Sequence, residues 1–352
     1  MEELIVTFQN KKDPALITPP MQVPKGITLK EMEELLNRLF SHDKTYAFFY
    51  NGTQINEMPE AAAETTLNIE FLAVSKISSE SAKIDMDSPI TCISIRRNPE
   101  VHTDSVVICT VRGETKEFSL GPGLDVLKDF DSFKPIRVVT STETGLFVLT
   151  TTNKVVDVEK AEIVFEQEDP IRTITGCHAL LAIGLASDEV VILEEGKEIK
   201  RIKTNGEIGK LILREVDDKY VLIAGIVTGT IEVYSGSDWN KTVIETTRPI
   251  TAMGYEDGKI YVGGLGGSIT ICSLTKVEKE YQSDAEFISR IEAGTIFFVY
   301  TNKNQIHVRD KDNFTGTHLI ELSADIADVK VSGKRLFVAD GTSLKLFNIF
   351  DE

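Results

Sequence analysis

The sequence contains little cysteine and no long apolar run. Its four cysteines, Cys92, Cys109, Cys177 and Cys272, lie far apart in a chain of 352 residues and form no Cys-x-x-Cys pair. This spacing argues against a disulfide framework or a zinc site and favours buried thiols in a reducing compartment. No apolar stretch approaches the roughly 20 residues of a membrane-spanning helix, and the amino terminus lacks the features of a secretory signal. We therefore expect an intracellular protein without membrane association.

The sequence is also poor in positive charge. Its 38 lysines and arginines are outnumbered by 55 aspartates and glutamates, which gives a formal net charge of −17. The densest basic spots are the dipeptides Arg96-Arg97 and Lys334-Arg335, which are too short to form a phosphate-binding surface. We therefore expect little direct nucleic-acid binding, and we expect protein partners with basic surfaces.

The motifs of catalytic and nucleotide-binding sites are missing. The five histidines show no His-Glu-x-x-His spacing, and the sequence has no Gly-x-Ser-x-Gly nucleophile elbow. The glycine cluster Gly263–Gly267 lacks the Gly-Lys-Ser/Thr ending of a phosphate-binding loop, and a hairpin turn between two predicted strands explains it. The sequence therefore indicates that the protein is not an enzyme and has no cofactor of its own. A propeller enzyme stays open as a hypothesis that only an activity screen would revive.

What the sequence does contain is a strand pattern that recurs at a nearly constant spacing. Each copy is preceded by two further predicted strands. Successive copies begin 35 to 41 residues apart, at Gly113–Phe118, Asn153–Val158, Asp188–Leu193, Gly229–Tyr234, Gly267–Cys272, Asn304–Arg309 and Thr342–Phe347. The first strand of each unit is predicted to begin at Ile90, Ile136, Ile171, Ile208, Ile250, Phe287 and Ile326.

Strand-rich units of about 40 residues are typical of WD40-type β-propellers, in which four-stranded sheets pack in a ring and cover one another. The seventh unit ends soon after its third strand, so we expect its fourth strand to come from Ala82–Met86, ahead of the first unit. The Gly-His and Trp-Asp pairs that usually mark such repeats are absent, and the only tryptophan is Trp239. The period therefore predicts a seven-bladed propeller over residues 79–352.

Residues 1–78 do not follow this period. A capping-box pattern at Thr28 and Glu31 begins a predicted helix whose apolar residues recur on one face. Two strands are predicted before the helix and two after it, at Leu4–Phe8, Leu16–Val23, Tyr46–Phe49 and Leu67–Leu72. This order predicts a ubiquitin-like β-grasp domain of the α+β class, in a chain that is otherwise mainly β.

Five stretches of this segment resemble the Notchless-type amino-terminal domain, which precedes a WD40 propeller in two ribosome-assembly factors. They are Ile5–Gln9, Pro19–Thr28, Met32–Phe40, Tyr46–Gly52 and Glu64–Phe71. The resemblance implies a non-enzymatic assembly factor for the large (60S) ribosomal subunit and its rRNA maturation. It also implies a location in the nucleus, nucleolus and nucleoplasm, and a propeller that binds other assembly factors.

Within this family, the strand Leu67–Phe71 and the Leu72-Ala73-Val74 that follows it are more similar to the WD-repeat subunit of the PeBoW complex. That resemblance implies Pescadillo-type and block-of-proliferation-type partners. The Notchless branch usually has a basic, proline-containing segment after this strand and eight blades. The alternatives are a Notchless-type pre-60S factor or a generic ubiquitin-like/WD40 protein-interaction scaffold.

The resemblance also implies a binding site. In the family, an acidic side chain just ahead of the final β-grasp strand completes the coordination of a Mg²⁺ ion held by the AAA ATPase midasin. The matching residue is Glu64, with Glu57 and Glu60 as neighbouring candidates. Mg²⁺ takes oxygen ligands, so an exposed carboxylate can bind it in trans. We expect this docking to release the protein from the pre-60S particle; the alternative is that Glu64 is a solvated residue beside a strand.

Overall fold

The chain forms two compact units. A computed structural model describes residues 3–11, 13–41, 44–55, 57–59, 66–74, 76–77, 80–98, 103–120, 124–130, 135–283, 285–295, 297–311 and 316–350. One unit comprises Met1–Ser78, Val308–Leu319 and Ile349–Glu352, and the other comprises Ser79–His307 and Ile320–Asn348. The domain limits 1–78 and 79–352 stay predictions.

The amino-terminal segment is a β-grasp, as predicted. Its elements are β1 (Glu3–Asn10), β2 (Met21–Pro24), α1 (Leu29–Phe40), β3 (Thr45–Tyr50), β4 (Thr53–Gln54) and β5 (Thr66–Val74). The sheet order is β2-β1-β5-β3-β4, with β1 and β5 parallel at the centre and the other pairs antiparallel. Strand β5, which follows the candidate glutamates in the chain, is therefore held on both sides.

Helix α1 begins at its capping box and packs one face against the sheet. The Thr28 hydroxyl accepts a hydrogen bond from the backbone N–H of Glu31, and the Glu31 carboxylate accepts one from the Thr28 N–H at 2.8 Å. Met32 and Leu36 lie one turn apart on the buried face. They join a core from the strands that includes Leu4, Val6, Phe8, Phe48, Leu67, Ile69 and Phe71. The apolar residues that recur on one face of α1 and those that alternate along the strands thus pack in one core.

Two short strands follow, β6 (Lys76–Ile77) and β7 (Ala82–Asp85). Among the described residues after them, six sheets consist of four consecutive antiparallel strands, and a seventh is built from the last three strands and β7. The first sheet contains β8 (Ile90–Asn98), β9 (Thr103–Thr110), β10 (Thr115–Ser119) and β11 (Val126–Phe130), and the second contains β12 (Ile136–Ser141), β13 (Leu146–Thr150), β14 (Lys154–Asp157) and β15 (Glu162–Glu166). The third contains β16 (Ile171–Cys177), β17 (Leu180–Leu185), β18 (Glu189–Glu194) and β19 (Lys197–Lys203), and the fourth contains β20 (Ile208–Val216), β21 (Lys219–Ile226), β22 (Thr230–Ser235) and β23 (Asn240–Glu245). The fifth contains β24 (Ile250–Glu256), β25 (Lys259–Gly264), β26 (Ser268–Cys272) and β27 (Val277–Gln282), and the sixth contains β28 (Arg290–Ala293), β29 (Phe297–Asn302), β30 (Gln305–Asp310) and β31 (Gly316–Glu321). The last three strands are β32 (Ile326–Ser332), β33 (Arg335–Asp340) and β34 (Ser343–Phe350).

The sheets are arranged in a ring. The first strand of each sheet packs against the first strand of the next, in the order β8, β12, β16, β20, β24, β28 and β32. Strand β32 then packs against β8, which returns the order to its start. Mainly β structure in repeated four-stranded antiparallel sheets confirms the predicted WD40-like propeller, and the described residues supply seven sheets for it.

The seventh sheet is completed by a strand from ahead of the first. Strand β7 pairs antiparallel with β34, with Ile84 opposite Leu344. Ile84 packs against a core cluster that includes Ile90 and Phe118 of the first sheet and Phe337 of the last. The Ser343 hydroxyl donates to the Asp85 carboxylate at 2.5 Å, and the two ends of the repeat array therefore share one core.

A buried isoleucine lies at the start of the first strand of each sheet, or two residues before it in the sixth sheet. The isoleucines are Ile90, Ile136, Ile171, Ile208, Ile250, Ile288 and Ile326. In six of the seven sheets the structure shows a register shift directly after this residue. Such a bulge bends the strand and redirects the side chains that follow.

The sixth sheet corrects the prediction that its first strand begins at Phe287. Strand β28 begins at Arg290, and Ile288 occupies the buried position that isoleucine holds in the other sheets. Phe287 is 41% exposed and forms an isolated bridge to Leu265. The large apolar side chain of Phe287 suggested that the strand begins there, but the buried position is that of Ile288, one residue further along the chain.

The glycines at 263–267 end β25 and turn the chain into β26. Gly267 has φ of 78° and lies where a Cβ atom would come within 1.8 Å of the Ala285 carbonyl oxygen. Only glycine can take this conformation at this distance. The cluster is thus part of a hairpin turn.

We expect Ile84→Asp to lower the free energy of unfolding of the propeller by about 1.5–3 kcal/mol, because it places a charge among apolar side chains. Urea unfolding followed by the fluorescence of Trp239, which lies in this unit, measures the change. The neighbouring Lys83→Gln removes an exposed ion pair to Asp85 and should change the value by less than about 0.5 kcal/mol. An Ile84→Asp protein that unfolds at the wild-type urea concentration would show that the β7–β34 pairing does not support the ring.

Candidate functional site

The predicted docking residues lie between β4 and β5. Glu64 and Glu60 fall outside the residues that the structure describes, so their role stays a prediction. Glu57 is described and lies exposed in a bend after β4. Thr66, the first residue of β5, pairs with Ile5 of β1.

Glu57 lies beside the start of helix α1. Glu57 and Met58 line a cleft of about 320 Å³ together with Lys25, Gly26, Ile27, Thr28 and Leu29. The first turn of a helix presents backbone N–H groups and partial positive charge. In α1, the capping box already provides hydrogen-bond acceptors for some of these N–H groups. A backbone hydrogen bond from Thr28 is the main cause that holds the pKa of Glu31 below its ordinary value. Of the three predicted glutamates, Glu57 is the one that the structure describes, and its side chain is exposed.

The propeller offers a second candidate site in its central channel, which has a volume of about 530 Å³. Its wall is built from the first strand of each sheet. The residues two positions after the buried isoleucines form one level of the wall: Cys92, Val138, Thr173, Lys210, Ala252, Arg290 and Asp328. The residues two positions further along form a second level: Ser94, Thr140, Thr175, Ile212, Gly254, Glu292 and Lys330. Because the repeat is regular, each of the seven sheets places one residue at each level of the wall.

The charged residues of these two levels come mostly from the sixth and seventh sheets. The Arg290 Nε donates to Asp328 Oδ1 at 3.2 Å, and the ammonium of Lys330 contacts the carboxylate of Glu292. Burial by itself would lower the pKa of Lys330, but the nearby carboxylates of Glu292 and Asp328 outweigh it and raise that pKa above its ordinary value. Lys330 therefore keeps its positive charge inside the channel.

Asp328 also connects the last sheet to the first. Its Oδ2 accepts a hydrogen bond of 2.9 Å from the backbone N–H of Ile93 in β8. Its Oδ1 accepts from the N–H of Val329 at 3.0 Å in addition to the bond from Arg290. This buried carboxylate is thus satisfied on both oxygens.

Lys210 is the exception among these charges. It projects from β20 into the channel wall and makes no hydrogen bond or ion pair with any residue in the described part of the chain. Removal from water is the main cause that lowers the pKa of Lys210 to about 8, and the positive charge of Arg290 adds to it. Its ammonium is therefore held at a cost in stability.

Next to the channel, the side chain of one histidine connects three sheets. His178 Nδ1 lies 2.6 Å from a Glu143 carboxylate oxygen, and its Nε2 lies 2.6 Å from a Glu215 carboxylate oxygen. Glu143 follows β12, His178 follows β16 and Glu215 is in β20. These contacts tie consecutive sheets together next to the channel.

Sequence reasoning missed the channel residues. Part of the signal was present in the repeat, because aligning the units on their opening isoleucines places Lys210 and Asp328 at one equivalent position. Arg290 joins them only when the sixth unit is aligned on Ile288 in place of the predicted Phe287. Among the described residues, no group of three histidine, cysteine, aspartate or glutamate side chains is arranged to hold a metal ion. No helix in the described ranges has the length and apolar character that a membrane crossing requires.

Comparison with known families identifies the amino-terminal part of the chain. Residues 4–58 match the model of the NLE (NUC135) domain, the Notchless-type amino-terminal domain. No curated protein matches the chain. The NLE domain indicates a Notchless or ribosome-biogenesis type of protein, and its combination with a WD-like propeller is typical of non-enzymatic scaffold proteins.

We expect Lys210→Met to raise the free energy of unfolding at pH 7 by about 1–3 kcal/mol, because it replaces an unpaired internal charge by an apolar side chain of similar length. The folded pKa of about 8 lies below the ordinary value of 10.5. Between these pH values the unfolded chain holds a proton that the folded chain has released, so the wild type gains stability as the pH rises. The advantage of the variant should therefore shrink from pH 8 upward.

Urea unfolding at several pH values between 7 and 10, followed by Trp239 fluorescence, measures this difference. The control is Lys259→Met, which removes a partly exposed lysine paired with Glu278 and should change stability by less than about 0.5 kcal/mol, without this pH dependence. Equal stability of Lys210→Met and wild type at pH 7 would contradict the assignment of Lys210 as an unpaired internal charge.

Proposed function

We propose that this protein is a non-enzymatic assembly factor of the large ribosomal subunit. The observation that carries the proposal is the match of residues 4–58 to the NLE domain, in a β-grasp that precedes seven propeller sheets. The protein acts in rRNA maturation on the pre-60S particle, in the nucleus, nucleolus and nucleoplasm. Its contribution is to hold other proteins, without a cofactor of its own.

The propeller is the part that binds partner assembly factors. Seven sheets of nearly the same construction form a rigid ring whose loops and edges can present several separate surfaces. The seven sheets, together with Leu72-Ala73-Val74 after the strand start Leu67–Phe71, favour the PeBoW branch over the eight-bladed Notchless branch. The partners on this proposal are Pescadillo-type and block-of-proliferation-type factors. The net charge of −17 suits basic surfaces on them.

The β-grasp domain docks on midasin through Glu64. This carboxylate precedes Thr66 by two residues in the chain, and β5 from Thr66 onward is fixed between β1 and β3. A carboxylate next to such a rigid strand is suited to complete the Mg²⁺ coordination that midasin provides. The ATPase then pulls the protein from the pre-60S particle.

Affinity purification of the tagged full-length protein from its own cells, followed by mass spectrometry, tests the assembly role. We expect Pescadillo-type and block-of-proliferation-type proteins to be recovered together with large-subunit precursors. Midasin-bound particles without those two partners would assign the chain to the Notchless branch. The absence of all ribosomal precursors would overturn the proposal in favour of a generic interaction scaffold.

We expect Glu64→Ala in the full-length protein to weaken binding to the purified metal-site domain of midasin by at least about tenfold, because the ion loses a ligand. Glu64→Asp should also weaken it, since the shorter side chain does not reach the ion. Chelation of Mg²⁺ should abolish the wild-type interaction. Surface plasmon resonance with immobilised midasin domain measures each affinity.

Glu57→Ala is the matched control, because it removes the same charge from an exposed position in the same connection. It should bind midasin as the wild type does. If Glu57→Ala or Glu60→Ala abolishes binding while Glu64→Ala does not, the ligand is that other residue. If none of the three substitutions weakens binding, docking through a carboxylate of this connection is wrong.

A further inference from the structure

In the described part of the chain, Lys210 makes no hydrogen bond or ion pair with a carboxylate, although the charges of Asp328 and Glu292 act on it through space. Lys241 contacts the fully buried carboxylate of Glu232 at 2.5 Å, and Lys345 lies 2.6 Å from Asp340. Lys330 is paired with Glu292. Each of these pairs compensates for the loss of water around the charges. Within the described ranges, these three lysines each contact a carboxylate, whereas Lys210 does not.

Lys210 lines a channel that is large enough to hold a carboxylate group. The neighbouring fifth sheet contributes Ala252 and Gly254 to the two wall levels, and Gly225 lies opposite Lys210 on the adjacent strand. Ala252 and Gly254 therefore add little side-chain volume to the wall beside Lys210. The channel volume of about 530 Å³ accommodates a small organic molecule or the end of a peptide side chain.

A second donor faces the same space. The Arg290 guanidinium uses its Nε on Asp328 and its Nη1 on the Ser289 carbonyl at 2.8 Å, while its Nη2 makes no hydrogen bond with the residues that the structure describes. The guanidinium lies close enough to Lys210 to be the largest charge effect on it. The two wall levels contain Lys210, Arg290 and Lys330 against Asp328 and Glu292. One positive charge is therefore left uncompensated.

We infer that the propeller channel contains a binding site for one carboxylate group, held between the Lys210 ammonium and the free edge of the Arg290 guanidinium. A single carboxylate balances the one excess positive charge, whereas a phosphate dianion would leave a net negative charge among the buried pairs. The group can belong to a free organic acid or to a glutamate side chain of a protein segment. The site is independent of midasin docking and of the proposed assembly role.

Calorimetric titration of the full-length protein tests the site with three probes at pH 7. These are glutarate for a free acid, the blocked tripeptide acetyl-Gly-Glu-Gly-amide for a side chain, and inorganic phosphate. We expect at least one carboxylate probe to bind with a dissociation constant of the order of 1 mM or below, as fits a few charge-assisted hydrogen bonds. The tighter of the two carboxylate probes identifies the source.

Two variants and a control connect binding to Lys210. We expect Lys210→Met to weaken carboxylate binding at least about tenfold, and Lys210→Arg to retain it, because arginine keeps both the charge and the donors. Lys259→Met, on a paired lysine outside the channel wall, should bind as the wild type does. Circular dichroism confirms that each variant is folded.

Acetylation of lysine side chains tests the site by a second method that is independent of calorimetry. A bound carboxylate covers Lys210 and favours its protonated form, so saturating probe should slow its acetylation at least about threefold, while Lys259 in the same sample stays unchanged. The inference is overturned if no carboxylate probe binds, if phosphate binds more tightly than both carboxylates, or if Lys210→Met binds like the wild type.

Discussion

Closure of the ring is the constraint on which the propeller depends, because a sheet with two apolar faces can bury both only between two neighbours. Chain order provides both neighbours for the inner sheets, but the first and seventh sheets meet only where β32 packs against β8. Strand β7 adds its apolar side chains at the same place. Asp328 reinforces this seam through the N–H of Ile93. A residue of the channel wall therefore also holds the ring closed.

The charge pattern of the channel follows from divergence between repeats. If all seven units carried the same side chain after the bulge, each wall level would hold either seven like charges or none. Instead the sixth and seventh sheets supply opposite charges that pair, the fifth supplies Ala252 and Gly254, and the fourth supplies Lys210. An asymmetric site thus arises inside a nearly symmetric scaffold, since equivalent backbone positions carry residues of different charge and size.

Much of the fold could be predicted from the sequence, because burial determines both the alternation of apolar residues along a strand and the spacing of the repeated units. The alternation along strands and the spacing of units identified the sheets, and the capping box identified α1. The start of the sixth sheet could not be predicted, since Phe287 and Ile288 are both apolar and only packing decides which is buried. Glu64 came from family resemblance, because a solvated glutamate has no physical signature in a sequence. Lys210 was overlooked since its lack of a partner is a property of the folded ring.

The two candidate sites differ in where their binding energy originates. A carboxylate on a connection such as Glu57 is exposed before binding, so it costs the folded protein little, and its affinity depends on the ion that the partner supplies. Folding removes Lys210 from much of its contact with water, and this burial lowers its pKa to about 8. A ligand that pairs with it relieves a penalty that folding has imposed. The proposed carboxylate site in the channel is therefore preorganised and requires no partner metal, whereas the proposed docking of the β-grasp connection depends on the ion of its partner.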